Sequence, residues 1–229
     1  LFFRMKRSIL LIIFISFSNV SLGQVYEAGI FAGGTNYVGD IGRTNYLYPN
    51  KIGGAFFFKY NYNPRIALRA TYSYLPIGGN DAEAETDFKR NRGLRFSNTI
   101  HELAVGFEYN FYEYDLSTPG KTWTPYITID LAAYNYRYIV SEPQPNEFLE
   151  DTKSSFTVPF GIGFKSKLIG PLAFAVETKF RYSLEDDLDY TTEAVPSLNF
   201  GGNGNDWYVF TGISLIYTFG RPACYTTGF

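Results

Sequence analysis

Apolar and polar residues alternate along most of this chain with a period of two. Between positions 173 and 184, AFAVETKFRYSL, the even positions Phe174, Val176, Phe180, Tyr182 and Leu184 are apolar. The odd positions carry Glu177, Lys179 and Arg181 among small residues. Successive strand side chains point to opposite faces, so this is a β-strand with one greasy face and one charged face. The same alternation, punctuated by Gly, Pro and Asn, predicts eight strands. They fall near residues 25–33, 52–60, 65–75, 100–112, 123–138, 156–167, 173–184 and 207–219. Parity is lost over 134–138, where a bulge or loss of register is expected.

The predicted connections alternate long and short. The short ones are 61–64, with Asn and Pro turn chemistry, 115–122 and 168–171. The long ones include 78–97, a Pro-rich loop reaching 154, and an acidic, then Gly/Asn-rich, loop over 185–206. A transmembrane barrel has this rhythm, with short periplasmic turns and longer external loops. The last strand closes on alternate apolar residues, Tyr217-Thr218-Phe219.

The face opposite the apolar one carries Glu27, Lys59, Arg69, Glu102, Glu108, Asp130, Lys165, Lys167, Glu177, Lys179 and Arg181. Eight strands enclose a lumen that side chains can fill. Unpaired charge there would be expensive, so acids and bases of nearly equal number should pair. The expected fold is therefore all-β: an eight-stranded antiparallel transmembrane β-barrel with a polar lumen and Phe, Ile, Leu and Val facing lipid. Tyr and Trp near strand ends would form aromatic girdles. A soluble sandwich is the alternative, because alternation does not name the solvent.

Composition agrees with this picture. The 229 residues include 22 Phe, 20 Tyr and 22 Gly, which favours strands over helices. The 20 Lys plus Arg nearly balance 22 Asp plus Glu, so no nucleic-acid partner is expected. Met5-Lys6-Arg7-Ser8 precedes an apolar run over 9–17 and the small residues Ser21-Leu22-Gly23. That is a secretory signal pattern, too short to span a membrane as a helix. Cleavage is expected after Gly23, leaving a barrel over 24–220 and a periplasmic tail over 221–229 in the bacterial outer membrane. The expected surroundings are the lipid bilayer and lipopolysaccharide.

Candidate chemistry is sparse. Cys224 and His101 are the single Cys and His, so a His/Cys metal site is excluded. A Ser/His/acid arrangement would need His101, placed by parity on the lipid face at the external end of strand four. Glu102 beside it points inward and orients it poorly. The acids of 185–193 could bridge divalent ions, but a solvated acidic loop is the default. The Gly-rich 201–205 lacks the strand–helix context of a phosphate cradle. No catalytic residue, cofactor, metal or small-molecule substrate is expected.

Four stretches carry a resemblance. They are Gly34-Thr35-Asn36-Tyr37-Val38-Gly39-Asp40-Ile41-Gly42, Asn63-Pro64-Arg65, Glu185-Asp186-Asp187-Leu188-Asp189-Tyr190, and Tyr217-Thr218-Phe219-Gly220-Arg221-Pro222 with Cys224. In this order the chain resembles the PorG-type outer-membrane barrels of the type IX secretion system of Bacteroidetes. The resemblance implies a scaffold role without enzymatic activity, in protein export and gliding motility, anchoring a periplasmic ring of PorK- and PorN-type proteins. By geometry, partner contacts would lie on periplasmic elements: Gln24, Asn63, Arg65, Lys121, Arg221, Tyr225 and Phe229. The alternatives are a structural or adhesin barrel acting through external loops, and a lipid-modifying enzyme.

Overall fold

The structure is a computed structural model, and it describes residues 26–115, 122–144, 147–191, 195, 198 and 205–220. Eight antiparallel strands close on themselves in sequence order: β1 (Tyr26–Val38), β2 (Lys51–Asn61), β3 (Ile66–Asn80), β4 (Arg95–Asn110), β5 (Trp123–Gln144), β6 (Glu147–Ile169), β7 (Leu172–Ser183) and β8 (Trp207–Phe219). Closure pairs Tyr26 with Phe219 and Val38 with Trp207, so that every strand has a partner on both sides. A 3-10 turn (Asp81–Glu83) and a six-residue helix, α1 (Asp87–Arg92), join β3 to β4.

Parity decides orientation. Ile30, Phe56, Leu103, Phe107, Ile129, Leu131, Ile162 and Ile213 all stand exposed on the outer wall, Leu131 by 73%. Exposed apolar side chains on this scale define a surface that lipid covers. Tyr26, Tyr60, Tyr109, Tyr112, Trp123 and Tyr217 ring one end, and Tyr72, Tyr74, His101, Tyr182 and Trp207 the other.

Several expected boundaries are corrected. The 78–97 loop is shorter, because β3 runs on to Asn80 and β4 begins at Arg95. The Pro-rich loop up to 154 is a hairpin, since β5 and β6 stay paired as far as Gln144 and Glu147. The third external connection is thus two residues long, and the long–short rhythm is carried by projecting strands. No bulge falls at 134–138; the register holds to Ile139↔Glu150 and shifts only between Ile139 and Gln144. Above the bilayer the outer face meets water and carries polar residues such as Asn135 and Arg137, while Tyr134 and Tyr136 are buried on the inner face, so the apolar-outside contrast that marks a spanning strand disappears.

Inside the ring, side chains fill the space where facing residues are small. The Tyr126 ring lies across Gly163, so closely that a Cβ there would collide with it. Phe57 lies across Gly29 in the same way. Gly163→Val should therefore displace Tyr126 and cost about 1–3 kcal/mol or more. Loss of heat-resistant gel mobility at a lower temperature than wild type would show it.

Candidate functional site: a sealed lumen and its external cap

The lumen is built from one charged position after another on inward-facing parity. Glu108 on β4 sits at the centre of the periplasmic half. It meets Lys59 Nζ at 2.6 Å and Lys165 Nζ at 2.6 Å, with Arg69 Nη1 at 3.6 Å. Lys59 also reaches Glu27 at 3.5 Å. One layer up, Arg69 donates to both oxygens of Glu177 at 2.6 and 3.2 Å, and the Tyr126 hydroxyl donates to Glu177 at 2.8 Å. Above that lies Lys179 with Asp130 at 2.6 Å. Arg181 then forks onto Glu102 at 2.9–3.1 Å, which also accepts from the Tyr208 hydroxyl. Burial at low dielectric makes each of these groups depend on its partner.

Ten of the eleven expected lumenal charges are thus brought together, five acids and five bases, all buried. Lys167 is the exception: it lies at the end of β6 beside the turn and is half-buried. Asp130 also faces Pro159, whose ring nitrogen has no hydrogen to donate, and the β5–β6 ladder skips Asp130 and Leu131.

Both mouths are corked, which the sequence did not reveal. On the periplasmic side Tyr114 is buried, its ring 4.4 Å from Lys165 Nζ, although it lies between the expected strand over 100–112 and the expected turn over 115–122. On the external side the acidic loop is corrected from a solvated segment to a plug. Leu188, Asp189 and Thr191 are buried. Asn98 Nδ2 donates to the Leu188 carbonyl at 2.9 Å, and Lys153 bridges Glu185 and Asp187 at 2.6 and 3.2 Å. Tyr37 Oη hydrogen-bonds both Asp189, at 2.9 Å, and Asp206, whose other oxygen accepts from the Leu188 amide at 3.2 Å. Burial and the nearby Asp189 charge push the Asp206 carboxyl up to about 9. Burial and the Asp40 charge push Asp186 up to about 6. A second clasp joins the β1 end to the β3–β4 connection: Asp81 accepts from Arg92 at 2.8 and 3.1 Å and from the amides of Gly42 and Leu94. Burial opposes ionisation of Asp81, but these donors hold it below the usual carboxylate range.

His101 lies within β4, not at its end, because β4 starts six residues earlier; its Nδ1 hydrogen-bonds Tyr72 Oη at 2.9 Å on the outer wall. Glu102 is inward and committed to Arg181. His101→Ala is expected to leave lipid A composition unchanged by mass spectrometry. Among the candidate partner residues, Asn63 caps its own turn by accepting from the Arg65 and Ile66 amides. Arg65 ties that turn to the next, donating to the Phe111 carbonyl at 2.9 Å and reaching Glu113 at 3.5 Å. Gln24, Lys121, Arg221, Tyr225 and Phe229 lie outside the described residues, as do Cys224 and residues 201–204.

A closed eight-stranded ring with an apolar outside and an ion-paired inside defines an outer-membrane-type β-barrel. Neisserial surface protein A has this fold, at 10% identity and TM-score 0.50 over 85% of this chain and 97% of that one. The β-barrel domain of Pseudomonas aeruginosa OprF (14% identity, TM-score 0.46, 85% and 99% covered) and a major outer membrane protein of Thermus thermophilus (14%, 0.43, 85% and 99%) are similar too. Residues 6–228 match the family described as a domain of unknown function, DUF6089, and the chain belongs to it. No curated protein matches the sequence.

Proposed function

We propose that this barrel is a PorG-type outer-membrane component of a type IX secretion machine, holding a periplasmic ring of PorK- and PorN-type proteins in place, after export and cleavage at Gly23. The observation that carries the reading is the lumen. Five ion-paired acids and five bases fill it, Tyr114 corks one end and Leu188 the other. A wall this rigid suits an anchor better than a conduit. The four sequence stretches set out above supply the secretion context.

The test is co-purification. A tagged chain extracted in mild detergent should bring down the ring lipoprotein, and deletion of the gene should halt export of cargo bearing the C-terminal signal. Recovery of the barrel alone, with export intact, would end the proposal. Shortening the tail over 221–229 should release the ring while the barrel still assembles.

One observation favours a second reading, an adhesin. The β5–β6 ribbon runs about ten residues beyond the aromatic ring, roughly 30 Å at strand rise. It exposes Val140, Phe148 and Leu149. Trimming residues 139–151 should then abolish surface binding while secretion continues.

A further inference from the structure

We propose a binding site for the phosphorylated headgroup of an outer-leaflet lipid in a lateral cleft between β2 and β3. The barrel wall is split there. The β1–β2 ladder continues up to Thr35↔Lys51, and the β3–β4 ladder up to Asn80↔Arg95. The ladder between β2 and β3 stops lower, at Gly54↔Tyr74. Above that pair the seam is lined by Gly53, Gly78 and Gly79, and Pro76 has no hydrogen to donate across it. Side chains replace the missing rungs: Asn50 Nδ2 donates to the Gly78 carbonyl at 2.9 Å, and Thr35 Oγ1 donates to the Pro76 carbonyl.

The seam opens into a cavity of about 480 Å³ lined by Asn50, Lys51, Asn80, Arg95 and Ser97 among others. Lys51 enters from β2 and Arg95 from β4. Among the described residues neither has a carboxylate within ion-pair distance; Glu83, which also lines the cavity, pairs with Arg43 at 3.7 Å. Two cations and several amide and hydroxyl donors around one opening suit a phosphate.

Position selects a lipid over a soluble anion. The cleft stands just above Tyr72, Tyr74 and His101, at the height where aromatic side chains mark the headgroup layer. Ile52, next to Lys51, is 84% exposed on the outer wall, and Phe56 continues the apolar track below it. Acyl chains would lie along that track with the phosphate between Lys51 and Arg95.

Native mass spectrometry of the full chain in detergent tests this with diphosphorylated lipid A, the same lipid stripped of phosphate, and inorganic pyrophosphate as competitor. The phosphorylated lipid should stay bound, and the stripped lipid should bind about ten-fold or more weakly. Lys51→Gln/Arg95→Gln and the cleft-filling Ser97→Phe should each lower retention similarly while heat-modifiable gel mobility stays normal. Equal retention of the two lipids by the wild-type chain, a comparison that needs no variant, would overturn the site. Displacement by pyrophosphate at the same concentration as lipid would overturn the lipid assignment.

Discussion

Glu108→Gln should lower barrel stability by about 3–5 kcal/mol, because it removes one partner of a buried ion cluster and leaves the other charges in place. Lys59 would keep Glu27 at 3.5 Å. Lys165 would lose its carboxylate and keep the rings of Tyr114 and Tyr126, 4.4 and 5.6 Å from its Nζ. The loss should therefore be recovered in large part by Glu108→Gln/Lys165→Met, which removes the stranded charge and fills its volume with an apolar chain. Urea titration in detergent, followed by tryptophan emission, reads both. A single variant as stable as wild type would mean that water reaches the lumen and that the cluster does not seal it. Arg65→Ala is the surface control. Its pair with Glu113 is exposed at 45% and 71%, and its loss should change stability by under about 1 kcal/mol.

The external plug should loosen as pH rises. Tyr37 has one hydroxyl hydrogen and two carboxyl neighbours, Asp189 and Asp206. Both contacts are satisfied only if one carboxyl keeps its proton and donates back. Asp206 titrates at about 9 in the folded state against an ordinary 3.8. The folded state thus holds a proton that an opened loop would release. This contribution to plug seating is complete below about pH 4 and is lost as pH climbs through about 9. The groups around the pair are Tyr37 on β1, Asp40 beyond it, Asp186 in the loop itself, and Arg92 from α1; Arg92 is engaged with Asp81. Hydrogen exchange at the Leu188 and Thr191 amides, corrected for intrinsic rate, should speed up about ten-fold or more between pH 6 and pH 9.5. Asp206→Asn should flatten that dependence. The Asp81 clasp has the opposite sign: its folded pKa is depressed, so its contribution is present above the ordinary carboxylate range and fades in acid.

Strand number, strand direction and the sorting of side chains to lipid or lumen were legible in the sequence wherever the two faces of a strand meet different media. Phe174 and Glu177 sit on opposite sides of β7 because the period of a strand is two, whatever the rest of the chain does. The charged residues at inward positions followed from the same rule. What the tertiary structure alone decided is which acid meets which base. Glu177 finds Arg69 across 108 residues and Glu102 finds Arg181 across 79, distances set by barrel closure and invisible to local pattern. It also decided the corks. Tyr114 and Leu188 lie in segments without periodicity, and only the closed ring gives them a cavity to enter. The ribbon over 139–154 was missed for a related reason: beyond Ile139 most of its side chains are exposed, so no apolar contrast marks the strands, and backbone pairing holds them together with ion pairs such as Arg137 with Glu150 and Lys153 with Glu185.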